Sequence, residues 1–128
     1  MKIRLVSVGK DKGHTAELDV LELRGQGPLR EAESLLGKVR GELWVLDERG
    51  SLLTSQQLAR RLASLRDSSQ PLTLGIGGDE GLAQRVRDQA KLVWSLSPLT
   101  LPHRLARVVV LEQLYRAFEI LRGGPYHK

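Results

Sequence analysis

Cysteine is absent from this chain of 128 residues, which excludes disulfide staples, thiolate nucleophiles and cysteine-ligated zinc. Histidine is scarce as well: His14, His103 and His127 match no metal-ligand spacing, so no metal is expected. The longest apolar runs, such as Val108 to Leu111, fall far short of the roughly 20 residues that cross a bilayer, and no membrane partner is expected. The opening stretch MKIRLVSVGK lacks a basic segment followed by an apolar core, so the expected location is cytoplasmic. A G-x-S-x-G elbow is also missing, and Ser97 has no paired base readable from sequence. Neither nucleotide fingerprint is complete. The third glycine of G-x-G-x-x-G would fall at Glu80, and no G-K-[ST] follows for a phosphate loop.

What the chain does have is positive charge, unevenly placed. Twenty Lys and Arg stand against 15 Asp and Glu, for a sequence pI near 10.0. Residues 91–128 hold six of the bases, among them Arg104, Arg107, Arg116 and Lys128, against two acids, Glu112 and Glu119, which gives net +4 there and +1 over the rest. Charge gathered at one end, with His103 and His127 beside it, fits a polyanionic partner such as nucleic acid, though a solvated helix face would look alike. With 41% hydrophobic residues the chain can bury one core of ordinary size, and a single domain over residues 1–128 is expected.

Strand-length apolar runs alternate with segments of helical period, the pattern of βαβ units around a mostly parallel sheet. Strands are expected at Ile3 to Val8, Leu18 to Leu23, Leu43 to Leu46, Leu72 to Ile76 and Leu92 to Leu96. Helices fill the gaps. One follows Pro28, one starts at the capping box of Thr54 and Gln57, a shorter one spans Gly81 to Ala90, and a long one has Pro102 in its first turn and ends before Gly123-Gly124. The last helix carries Leu105, Val108 to Leu111, Leu114, Tyr115, Phe118, Ile120 and Leu121, more apolar surface than one sheet face covers. A second copy of the chain is the simplest cover, so a homodimer is expected, with a central position in one domain as the alternative.

Ligands of an open α/β sheet bind beyond the carboxyl ends of its strands. Three loops lie there: Leu46-Asp47-Glu48-Arg49-Gly50, Gly75 to Gly81, and Leu96 to Pro102. Glycines in the second let backbone come close to a ligand, although such a cluster is more often a tight strand-to-helix turn, while Asp79 and Glu80 favour a neutral or cationic ligand over a phosphate. Asp47 and Glu48, adjacent at a strand end, would point to opposite sides and so make a poor glycosidase pair. At the terminus, Tyr126 can stack on a base and His127 can handle a proton, unless the tail frays as most termini do.

The blocks LDERGSLLTSQQLA, GIGGDEG, SLSPLTLPHRLARVVVLEQLYRAFEILRG and PYHK, from Leu46 to Lys128, closely resemble the ribosomal large-subunit methyltransferase H family, and the start KIRLVSVGK is similar to its first strand. The resemblance implies a SPOUT-type α/β fold, with a mostly parallel five- or six-stranded sheet, helices on both faces, a C-terminal trefoil knot and a homodimer. It implies an S-adenosylmethionine-dependent enzyme that methylates N3 of the pseudouridine at position 1915, in helix 69 of 23S ribosomal RNA, within assembled ribosomes. By motif, the methyl donor would meet Leu46, Gly77, Leu96, Ser97, Pro98, Leu99, Thr100 and Leu101. His103, Arg107, Tyr126 and His127 match family motifs and would serve the RNA, with Arg104 and Arg116 beside them.

Between the first two strands the family usually carries a long helix, where only Asp11 to Glu17 remains here, so a smaller surface is expected with the catalytic blocks intact. Uracil N3 holds a proton at neutral pH, so a base is wanted. His127 is the first candidate and Glu112 the second, with Arg107 or Arg116 to stabilise charge developing on O2 or O4. Orientation of donor and ring could instead supply most of the rate. An inactive RNA-binding relative, or an enzyme of the same fold acting on another RNA site, would share these features.

Overall fold

The computed structural model describes residues 3–8, 18–23, 27–77 and 81–127. The shortened connection Asp11 to Glu17, the acids Asp79 and Glu80 of the glycine loop, and Lys128 lie outside the described residues. In chain order come β1 (Ile3–Val8), β2 (Leu18–Leu23), α1 (Pro28–Leu36), β3 (Glu42–Leu52), α2 (Ser55–Asp67), β4 (Leu72–Ile76), α3 (Gln84–Gln89), β5 (Leu92–Ser95) and α4 (His103–Leu121). The strands form one sheet in the order β2-β1-β4-β3-β5, and every neighbouring pair is parallel.

Alternation along β3 builds both cores. Trp44 packs with Leu72, Leu74, Trp94 and the inner faces of α2 and α4, while its neighbours Leu43 and Val45 turn to the opposite face and meet Leu35 of α1 and Val86 of α3. Helices therefore cover both faces of the sheet. Trp44 and Trp94 meet edge to face, ring centroids 6.3 Å apart at 81°, and fill the first core where strands alone would leave space. β4, central in the sheet, is buried along its whole length. Leu62 of α2 and Val110 of α4 are fully buried in the same layer.

The boundaries differ from the sequence reading at four places, one of them β5, which stops at Ser95 instead of Leu96. β3 does not stop at Leu46: after a bulge it pairs with β5 again at Ser51–Trp94 and Leu52–Ser95. Gly50 makes this possible, because a Cβ there would collide with the backbone of Val93. α3 starts at Gln84 instead of Gly81, and Pro102 occupies the cap before α4 instead of its first turn. The capping box of α2 is present as read: the Thr54 hydroxyl accepts from the Gln57 N–H at 3.0 Å, and the Gln57 side chain accepts from the Thr54 N–H at 2.8 Å. α4 buries Ala106, Val110, Leu114 and Ala117 but leaves Leu105, Val108 and Tyr115 exposed.

Candidate active site

A cleft of about 510 Å³ opens where β4 and β5 end, beside the bulge of β3, and all three segments of the sequence reading enter it. Its apolar walls come from Leu46, Ile76, Leu96, Leu101 and Ala106, with Trp94 behind them. Of the expected donor contacts, Leu46, Gly77, Leu96, Ser97, Leu99, Thr100 and Leu101 line it; Pro98 is solvent-exposed and does not. His103, read from sequence as an RNA contact, also lines the cleft, from the first turn of α4.

Gly77 sits in a tight strand-to-helix turn. A Cβ there would lie 2.7 Å from the Gly81 carbonyl carbon and 2.9 Å from the Leu82 nitrogen, so the glycine lets the loop close on itself. The polar rim is tied together by side chains far apart in sequence. Arg87 donates to the Asp47 carboxylate at 3.0 Å and to the Leu82 carbonyl at 2.9 Å. Ser95, buried, places its hydroxyl 3.1 Å from the Glu48 carbonyl and 3.0 Å from that of Ser97, and the Thr100 hydroxyl donates to the Glu48 carboxylate. Burial pushes the Asp47 carboxyl up, but hydrogen bonds from Arg49 and the charges of Arg49 and Arg87 outweigh it and hold the group below its usual range. Asp47 is thus an anion at neutral pH. Asp47 and Glu48 take different partners, Arg87 and Thr100, yet both line the cleft, because they lie in the bulge of β3 where strand alternation is interrupted.

The tail does not fray. Tyr126 donates to Glu112 at 2.8 Å and stands edge to face on Tyr115, with centroids 4.7 Å apart. The Arg116 guanidinium lies 4.8 Å from the centre of the Tyr126 ring and pairs with Glu112 at 2.8 Å. Arg116 Nη1 sits 3.1 Å from His127 Nδ1, and Gln56 of α2 approaches His127 Nε2 at 3.0 Å. Arginine can only donate, so Nδ1 accepts, and a neutral ring then carries its proton on Nε2; the Gln56 amide meets it when its oxygen faces the ring. The Arg116 hydrogen bond holds the Glu112 carboxyl low, and that carboxylate in turn pushes the Tyr126 phenol up. Arg104 is exposed, whereas Arg107 is buried on α4.

Cleft and tail are two places, not one. Along α4, His103 at the cleft and Glu112 under Tyr126 are nine residues apart, about 14 Å of helix axis. Sequence reasoning missed Arg87, Ser95 and Gln56. Their partners lie 40, 47 and 71 residues away, so no local pattern marks them. Among the described residues no group of three or more His, Asp or Glu could hold a metal, and no helix is long and apolar enough to cross a membrane.

Residues 24–127 match the family model described as "Predicted SPOUT methyltransferase". Proteins named ribosomal RNA large subunit methyltransferase H are similar over the whole chain. That of Polynucleobacter necessarius is 41% identical over 134 residues, covering 100% of this chain and 99% of the relative. One from Thermus thermophilus is 44% identical over 138 residues with the same coverage, and that of an Anaeromyxobacter species is 38% identical over 153 residues, covering 100% of both. These alignments exceed 128 residues, so each relative carries residues this chain lacks. A parallel α/β sheet with helices on both faces, a cleft at one edge of that sheet, and full-length likeness to proteins of one name agree: the chain belongs to the ribosomal RNA large subunit methyltransferase H family of SPOUT methyltransferases.

Proposed function

We propose that this protein is an S-adenosylmethionine-dependent methyltransferase that acts, as a homodimer, on N3 of the pseudouridine in helix 69 of 23S ribosomal RNA in assembled ribosomes. The observation that carries the reading is the cleft itself, three loops at one sheet edge with apolar walls and a rim where the carboxylates of Asp47 and Glu48 stand beside the guanidiniums of Arg49 and Arg87. Such a lining suits a ligand with a flat ring and a positive sulfur, and the volume lies in the range of small-molecule sites. Bound there, S-adenosylmethionine would supply a methyl group on a sulfonium. Leu46, Leu96 and Leu101 would hold its ring out of water, and the Glu48 carboxylate would favour its cation.

The tail meets the nucleotide. Tyr126 offers an aromatic surface, His127 takes the N3 proton, and Arg116 steadies negative charge on the ring oxygens. Glu112, with its carboxyl held low, is a weak base and instead positions Arg116 and Tyr126. In the free chain His127 Nδ1 is occupied by Arg116, so RNA that draws Arg116 away also frees the imidazole. Because tail and cleft stand apart on α4, the tail of one protomer serves the cleft of its partner across the exposed apolar face of α4. The reading includes the C-terminal trefoil knot that membership of the SPOUT class implies.

The test is mass spectrometry of the helix 69 nucleotide in ribosomes from cells with and without the protein, together with calorimetry for S-adenosylmethionine. A nucleotide that lacks its methyl group only in the deletion strain is expected. Donor binding with an unchanged nucleotide would move the activity to another RNA site, and no donor binding would leave an inactive RNA-binding relative. Deleting residues 125–128 should slow single-turnover methylation by about one to two orders of magnitude, the value of one stacked base, with little change in donor affinity. Wild-type rates in the truncated protein would remove the tail from the site.

A further inference from the structure

We propose that Arg87 is a positioning residue of the donor cleft, a tie that holds the β3 loop against the β4 loop before any ligand arrives. The proposal rests on reading the cleft as the donor site. Arg87 projects from the short helix α3, and one planar guanidinium reaches three partners. Nη1 meets both the Asp47 carboxylate, 3.0 Å away on the β3 bulge, and the Leu82 carbonyl, 2.9 Å away beyond the glycine loop. Nε and Nη2 donate to the Gln84 side chain at 3.2 and 3.0 Å, which fixes the plane of the fork. The side chains of Arg87 and Asp47 are only 20% and 11% exposed, so the pair is screened from water and ordered. Asp47 has a second partner, Arg49, at 3.3 Å, but that side chain is 73% exposed and belongs to the same bulge as Asp47.

The third loop is tied separately. Ser95 and Thr100 bind the backbone and side chain of Glu48, so the β3 bulge is the hub to which both other loops are fastened. Loss of Arg87 then releases the β4 loop while the β5 loop stays attached. A cleft whose loops are correctly placed only part of the time binds every occupant more weakly by the same factor, the inverse of the competent fraction. A residue that touched the ligand would instead penalise only those ligands carrying the group it touches. Lysine cannot replace the fork, because a single ammonium lacks the planar set of donors that serves Asp47, Leu82 and Gln84 together.

The experiment compares wild type with Arg87→Met, Arg87→Lys, Asp47→Asn and the double variant Asp47→Asn/Arg87→Met. Hydrogen exchange is followed in ligand-free protein, and affinity is measured by calorimetry with S-adenosylmethionine, S-adenosylhomocysteine and decarboxylated S-adenosylmethionine. Faster exchange at the Leu82 and Ala83 amides is expected in both Arg87 variants, with α2 unchanged. Dissociation constants for all three ligands should rise by one common factor, about tenfold, and the double variant should bind no more weakly than Arg87→Met alone. Wild-type exchange at the loop, additive losses in the double variant, or a loss confined to carboxylate-bearing ligands would each overturn the tie. Should Arg87→Met not fold, Arg87→Lys, which keeps the charge, carries the same comparison. Wild type binding none of the three ligands would sink the donor reading, while the exchange data would still decide whether Arg87 ties the loops.

Discussion

Glu112 accepts from both Tyr126 and Arg116 through one oxygen, so removing its charge should be felt first by the phenol. The Tyr126 pKa is raised chiefly because its neutral hydroxyl donates to this carboxylate. Glu112→Gln should therefore let Tyr126 ionise at lower pH than in wild type, read by spectrophotometric titration against a Tyr126→Phe control; an unmoved titration would mean that the hydrogen bond is not formed in solution. Gly77→Ala makes a second residue-scale test. Its Cβ would press on the Gly81–Leu82 backbone, and overpacking of this kind costs about 1–3 kcal/mol, so denaturation should show a stability loss together with weakened donor binding. Wild-type stability with lost binding would instead show that the added methyl meets the ligand alone. Most residues that line the cleft were legible in local motifs. The contacts around them were not: Gly77 is fixed by the chain four residues on, and Glu112, paired with Arg116 one helical turn along, gains Tyr126 only when the tail folds back.

Elements were legible where their determinants are local. The capping box of α2 spans four residues and needs only backbone N–H groups to satisfy, so Thr54→Ala should cost about 1 kcal/mol in urea denaturation, and no loss would mean that the cap is unused. α3 begins after three capless residues because its start is decided by how Leu82 and Val86 pack under the sheet, which no cap signal announces. β3 continues past Leu46 because β5 lies alongside to pair with it. The link from the β3 bulge to α3 also sets a pH dependence. The folded Asp47 carboxyl has a lowered pKa, so its stabilisation is present above the unfolded value of ~3.9 and is lost as pH falls through the folded value. Asp47→Asn should flatten the acid limb of a stability-against-pH curve below about pH 4, and an unchanged limb would show that the Arg87 and Arg49 contacts contribute nothing.

At the scale of the molecule, α4 joins everything: its first turn lines the cleft, its inner face completes the Trp44 core, its outer face is apolar and exposed, and its end receives the tail. Val108, 60% exposed at the centre of that outer face, is the place to break a dimer. Light scattering should find wild type dimeric at micromolar concentration and Val108→Asp monomeric with an unchanged circular dichroism spectrum. A wild-type monomer would remove the partner's tail from the proposed site.

By itself the sequence determined the order of strands and helices, the parallel sheet, the sheet edge that carries the cleft, and the family, because period, caps and motifs are written in residues close together along the chain. Only the tertiary structure decided which side chains tie the three loops, why Gly77 is glycine, and that the tail rests on α4 at a distance from the cleft. Those facts depend on contacts between residues dozens of positions apart. A planar guanidinium or a buried hydroxyl acquires its role from whatever the fold brings within about 3 Å of it, and local sequence holds no record of that distance.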